Sequence, residues 1–299
     1  MTDIKYGHTD SLYVGVDSPE HAMEIVDTLN DKVREHFPNV FNLKNHPVTL
    51  EFEKFYRTLG VGSVKNRNAG MISWLDGNYL DEEKFVMTGF TAKRISETKL
   101  AKDVQLTVLK MWVNEHTETE IADYLRDKYN EVLSGKIPLG DLAKRTRYRE
   151  ERFTVYCSNC KKNGWKHKKS LHNLSMAGNA CCNNPTFFTS ENKRPSVGAG
   201  IEGVLFYNAL NPHNPIDDSY LFLKITRCNC TYHHPINQHA TVPNYISFRK
   251  LEEIDGFTPD YLHYALSVLN KAEPIFTAMG WDMKQVSKDK RQGELSEWF

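Results

Sequence analysis

The sequence predicts an α+β protein. Short antiparallel strands with one helix occupy residues 1–95. A mostly helical region follows over 96–281, with a cysteine-rich insertion at about 153–240, and a flexible tail covers 282–299. Three observations carry this reading. Apolar residues alternate in the early strand segments but recur with a period of about 3.6 from Glu97 to Leu133. All six cysteines (Cys157, Cys160, Cys181, Cys182, Cys228 and Cys230) fall in one irregular, Asn-rich stretch. With 299 residues, 25% charged and 40% apolar, the chain is long enough for a core in each of two parts and too apolar for disorder.

Taken in order, Tyr6-Gly7-His8-Thr9-Asp10-Ser11-Leu12-Tyr13 reads as a β-hairpin tip, with an aromatic, a glycine and an acid set in a Thr-Asp-Ser turn. Such a tip presents one carboxylate, that of Asp10, to a metal ion, although Thr-Asp-Ser is also ordinary turn chemistry. Ser18-Pro19-Glu20 is a helix start, and Ala22, Met23, Ile25, Val26, Leu29 and Val33 continue at helical spacing to about Phe37. Residues 48–56 alternate as a strand, with further strands near 60–66, 69–75 and 84–91. Leu100, Val104, Val108 and Met111 form one apolar helical face, and Ile121, Leu125, Tyr129 and Leu133 another, closed by Gly135. Strands are expected near 202–207 and 220–227, and a last helix from about Pro259 to Ala278.

Net charge is zero, which argues against a wholly basic nucleic-acid coat but leaves room for a local basic surface. Residues 141–170 hold ten Lys or Arg against three acids, among them Lys144, Arg145, Arg147, Lys161 and Lys162. No apolar run reaches the roughly 18 residues of a membrane span. Met1-Thr2-Asp3-Ile4-Lys5 lacks a signal-peptide core, so a cytoplasmic protein without membrane contact is expected. In a reducing compartment the clustered cysteines suggest metal binding. Cys157-Ser158-Asn159-Cys160 has the spacing at which two thiolates reach one tetrahedral zinc ion. Cys228 and Cys230 are the favoured completing pair, with Cys181 and Cys182 as alternatives.

The Tyr6–Ser11 string resembles the third catalytic motif of family B DNA polymerases, the Tyr-Gly-Asp-Thr-Asp-Ser hairpin of the palm. The resemblance runs in order along nearly the whole chain. Leu50-Glu51-Phe52-Glu53-Lys54-Phe55-Tyr56 is similar to the acidic strand beside that active site, which makes Glu51 and Glu53 accessory acids. Lys65-Asn66-Arg67-Asn68-Ala69-Gly70 stands where the family has Lys-Lys-Arg-Tyr-Ala-Gly, a turn touching the duplex near the primer terminus; Lys65 and Arg67 are kept. Gly89-Phe90-Thr91-Ala92-Lys93-Arg94 is similar to the segment leading from palm to thumb, with Ile95-Ser96 in place of the family's following Asp. The helices over 98–134, Gly135 to Leu142, and Tyr261 to Trp281 resemble thumb elements.

The resemblance implies that Asp10 holds catalytic magnesium, with Tyr6, Thr9 and Ser11 near the nucleotide and primer. It also implies that Lys65, Arg67, Lys93, Arg94, Lys144, Arg145 and Arg147 contact primer-template DNA. His8 takes the place of the motif's first acid. The family's first two motifs and its exonuclease have no match here, which implies a large partner subunit carrying them, as in split archaeal-type enzymes. Finally, Gln292, Leu295, Trp298 and Phe299 have the spacing of the box that binds a PCNA-type sliding clamp. The competing expectation is a non-catalytic scaffold, derived from a polymerase, that binds DNA and the clamp.

Overall fold

The first elements are strands β1 (Ile4–His8) and β2 (Ser11–Val14), an antiparallel pair in which Tyr6 lies opposite Tyr13 and His8 opposite Ser11. This computed structural model describes residues 3–8, 11–94, 97–148, 154–155, 165–166, 199–227, 231–232, 240–254 and 256–287. The architecture is mixed α and β, and every strand pair among the described residues is antiparallel. The chain divides into two units. One comprises Met1–Lys93, Gln105–Leu125 and Lys271–Phe299; the other comprises Arg94–Val104 and Arg126–Asn270.

In the first unit, helix α1 (Pro19–His36) starts as its sequence dictates, with the Ser18 hydroxyl accepting from the His21 N–H and proline in the first turn. The strand expected from residue 48 begins only at Lys54, as β3 (Lys54–Val61). Asn30 explains the delay. Its amide accepts from the Leu50 N–H at 2.8 Å and donates to the Leu50 carbonyl at 2.9 Å, so neither group is free to pair in a ladder. Strand β3 joins β4 (Asn68–Leu75) and β5 (Asn78–Thr88) in a sheet of order β3-β4-β5.

Central β4 buries Asn68, Ala69, Gly70, Ile72 and Trp74. Asp76 (φ 47°) and Gly77 (φ 92°) join β4 to β5 in the positive-φ pair that a tight hairpin demands, so β5 starts well before the expected residue 84. The strand expected near 60–66 ends at Val61, and residues 62–67 are a turn closed by Gly62 N–H donating to the Arg67 carbonyl at 2.7 Å. Helix α2 (Lys99–Val113) presents Trp112 to β3, where Gly60 leaves the room: any Cβ there would collide with the indole ring. Thr58 seals the contact by donating to the Val113 carbonyl at 2.6 Å.

The two helices expected between Glu97 and Leu133 are α2 and α3 (Glu118–Leu133), with Gly135 at φ 72° after the second. In the second unit, short α4 (Leu139–Leu142) leads into β6 (Lys144–Arg147), which pairs with β9 (Ser219–Lys224). Strand β12 (Tyr245–Phe248) completes that sheet in the order β12-β9-β6. Two further hairpins are β7 (Thr154–Val155) with β8 (Trp165–Lys166), and β10 (Thr231–Tyr232) with β11 (Ala240–Thr241).

Residues 202–207, expected as strand, belong to helix α5 (Ala199–Leu210). An apolar run buried on several sides has no period that separates strand from helix. Small residues set its approach to the sheet. Gly200 lies against Tyr220 and Phe222, Gly203 lies against Ser247, and the Ser247 hydroxyl donates to the Gly200 carbonyl at 2.7 Å.

The single helix expected over 259–278 is two, α6 (Tyr261–Leu269) and α7 (Glu273–Met279). Pro274 lacks the N–H that a continuous helix needs and its ring opposes the carbonyl four residues back, so it serves instead in the first turn of α7. Helix α8 (Lys284–Ser287) is the last described element, and the rest of the tail lies outside the described residues. No helix among the described residues is long and apolar enough to cross a membrane.

Candidate active site

The β1–β2 ladder ends at the pair His8 and Ser11, and the two residues between them in sequence, Thr9 and Asp10, lie outside the described residues. Ser11 is exposed, as are Ile4 (61%) and Leu12 (59%), so this two-stranded sheet carries apolar residues into solvent.

Two contacts tie the hairpin to the β3–β4–β5 sheet. In the first, the Tyr6 hydroxyl donates to Asn66 Oδ1 at 3.3 Å. In the second, the Tyr6 and Tyr13 rings lie 5.3 Å apart, and Tyr13 lies 6.0 Å from Tyr56 of β3. Tyr56 in turn covers Gly70, whose missing side chain permits the approach, since a Cβ there would stand 2.6 Å from the ring. Burial pushes the Tyr56 hydroxyl well above the usual tyrosine range, and Tyr13 and the Glu53 carboxylate add to the effect. Tyr56 is therefore a neutral phenol at physiological pH.

The turn that meets Tyr6 is the basic one. Lys65 and Asn66 are exposed and Arg67 is half-buried. Asn66 sits at φ 64°, the left-handed region asparagine tolerates. Its carbonyl crowds against Gly89, where any side chain would collide, so the backbone beneath the amide is held from both sides. The structure thus brings together two stretches some 60 residues apart that the sequence marked independently. Tyr56 and Tyr13 as bracing residues were not foreseen. Both lie inside stretches singled out for other reasons, and nothing local in the sequence signals their pairing.

Glu51 and Glu53 are exposed and precede β3 rather than lying within it. Glu53 accepts from Lys54 at 2.7 Å, while Phe52 between the two acids stacks on Trp74 at 4.3 Å between ring centroids. Lys93 and Arg94 are both exposed.

In the second unit Lys144 pairs with Glu97 at 3.2 Å, whereas Arg145 and Arg147, two apart on edge strand β6, present exposed side chains on the other side. On β9, Lys224 lies 3.2 Å from Asp260, which also caps α6 by accepting from the His263 N–H. Burial lowers the His263 pKa and the Lys224 ammonium lowers it further.

Among the described residues, no three His, Cys, Asp or Glu side chains converge on a point that would hold a metal ion. Asp10, the six cysteines and the tail residues Gln292, Leu295, Trp298 and Phe299 lie outside the described residues. The described β7–β8 pair does bracket the first cysteine pair in sequence: Thr154 faces Lys166 and Val155 faces Trp165, with Cys157 and Cys160 between them along the chain.

A sequence model of DNA polymerase family B matches residues 2–159, a stretch that takes in both parts of the hairpin contact and all of α1 to α4. Among curated proteins, none matches the chain.

Proposed function

The chain belongs to DNA polymerase family B, and from that membership we propose that it is the C-terminal subunit or fragment of a DNA-dependent DNA polymerase, resembling the small subunit of a split, archaeal-type enzyme. It would supply the palm's third motif, the thumb and a clamp tether. The observation that carries this reading is the seating of the Tyr6–Ser11 hairpin against the basic turn of Lys65 and Arg67. A polymerase must join those two features, the metal-bearing tip and the grip on the primer.

In the reaction, the primer 3′ oxygen bonds to the α-phosphorus of a deoxynucleoside triphosphate and pyrophosphate leaves. Magnesium, when bound, draws charge from the triphosphate and eases ionisation of that hydroxyl. Asp10 is this chain's ligand for it, a hard carboxylate suited to a hard cation. One carboxylate does not make a two-metal site, so the second acid and the groups that grip the nucleotide come, in this reading, from a large partner subunit. The exposed Ile4 and Leu12 support such a partner, because apolar side chains left in water on a two-stranded sheet gain from being covered.

Lys65 and Arg67 hold primer phosphates, and Arg145 and Arg147 hold the duplex leaving the site; such contacts are electrostatic and indifferent to sequence. Cys157 and Cys160, together with Cys228 and Cys230, would hold a zinc ion, whose binding would contribute folding energy to the cysteine-rich stretch.

Primer extension by the chain co-purified with its partner tests the proposal. The wild-type pair should add nucleotides in a magnesium-dependent way, and Asp10→Ala should lower the rate at least about a thousandfold, as loss of a metal-binding carboxylate implies. An intact pair that extends no primer, or Asp10→Ala extending normally, overturns the catalytic reading. Retained DNA and clamp binding would then favour the scaffold, which His8 in the place of an acid already suits.

A further inference from the structure

We propose that Tyr6 and Asn66 form a brace that sets the catalytic hairpin relative to the primer-gripping turn, which makes both of them positioning residues. The inference rests on the polymerase reading above. Tyr6 lies four residues before Asp10 on β1, and Asn66 lies between Lys65 and Arg67, so a single hydrogen bond of 3.3 Å joins the two functional segments directly.

Both ends are held in place. Tyr6 packs on Tyr13, and Tyr13 packs on Tyr56, which is seated over Gly70. Asn66 is fixed by the Gly62–Arg67 closure and by the close approach of Gly89. The amide supplies the acceptor that the phenol needs. A lysine in its place would carry donors alone, so the asparagine, one of this chain's departures from the family pattern, gives the brace its polarity. A metal ligand must sit within a fraction of an ångström of its productive position, and a support of this kind acts on rate more than on binding.

The test uses the full chain with its partner and compares Tyr6→Phe, Asn66→Gly, the double variant and Asn66→Asp. Glycine removes the amide while accepting the positive φ, and aspartate restores an acceptor there. Single-turnover addition at saturating primer-template should slow about three- to tenfold in each of Tyr6→Phe and Asn66→Gly. The double variant should be no slower than the worse single one, and Asn66→Asp should recover most of the rate. Affinity for primer-template should stay within about twofold, and amide exchange over residues 3–14 should quicken in Tyr6→Phe and Asn66→Gly.

An active wild type with single variants at its rate, or with losses that multiply in the double variant, overturns the brace and leaves the polymerase reading standing. An inactive wild type overturns that reading instead. In that case unchanged exchange over 3–14 in Asn66→Gly also overturns the brace, and quickened exchange supports it as the hairpin's anchor.

Discussion

Burial pushes the His263 ring on α6 below the usual 6.5, the Lys224 and Lys144 ammonium groups lower it further, and the Asp260 carboxylate offsets them only in part. The folded protein therefore takes up this proton at a lower pH than the unfolded chain does. The stabilisation is complete above the unfolded value near 6.5 and is lost as pH falls through the lowered folded one. Asp260 shows the opposite balance. Burial pushes its carboxyl up, but the His263 N–H and Lys224 outweigh burial and hold it below 3.8, so its contribution fails only in stronger acid. The melting temperature should consequently fall between about pH 7 and about pH 5, and His263→Gln should flatten that limb. Parallel melting curves for the two proteins would show that the ring plays no such part. The Lys224 partner of His263 leaves no trace in the sequence, because it comes from β9 and charges that meet across a fold carry no local signal, whereas Asp260 stands three residues before the ring.

Elements were legible where period and punctuation agreed. Helix α1 begins where Ser18 and Pro19 place it, and α2 and α3 follow their two apolar faces. They were misread where a distant partner or an unweighed residue decided the outcome. Asn30 occupies the backbone of Leu50, Pro274 divides the last helix, and the sheet beneath Gly200 and Gly203 receives a helix where the apolar run suggested a strand. The Asp76-Gly77 turn was an available signal for the start of β5 that the alternation pattern alone did not convey. The zinc proposal rests on the Cys157-Ser158-Asn159-Cys160 spacing, at which two thiolates can reach one tetrahedral ion. Metal analysis of the purified chain should find about one zinc per molecule. Either Cys157→Ser or Cys160→Ser should release it, while Cys181→Ser should retain it. A metal-free wild-type protein refutes the site, and loss in Cys181→Ser alone reassigns the ligands.

The molecule as a whole has no net charge, so its affinity for DNA must come from local placement of lysine and arginine. In the proposed reading the described residues that hold DNA are Arg94 with the exposed Arg145 and Arg147 on β6 and, in the other unit, Lys65 and Arg67 of the 62–67 turn with Lys93, and such contacts weaken as salt rises. A polymerase held on DNA by salt-sensitive contacts of this kind would gain from being tethered. The proposed clamp box (Gln292, Leu295, Trp298 and Phe299) provides a tether by a route that adds no contact at the reacting atoms. Once a clamp encircles the duplex, a short flexible link raises the local concentration of polymerase toward the millimolar range. Each dissociation is then followed by rebinding to the same primer. Deleting residues 292–299 should therefore leave the rate of a single addition unchanged while removing stimulation by a PCNA-type clamp, and the loss should widen as salt rises from about 50 to about 200 mM. Equal stimulation of the truncated chain would place the tether elsewhere. A fall in single-addition rate would mean that the tail serves the active site itself and does not act merely as a leash.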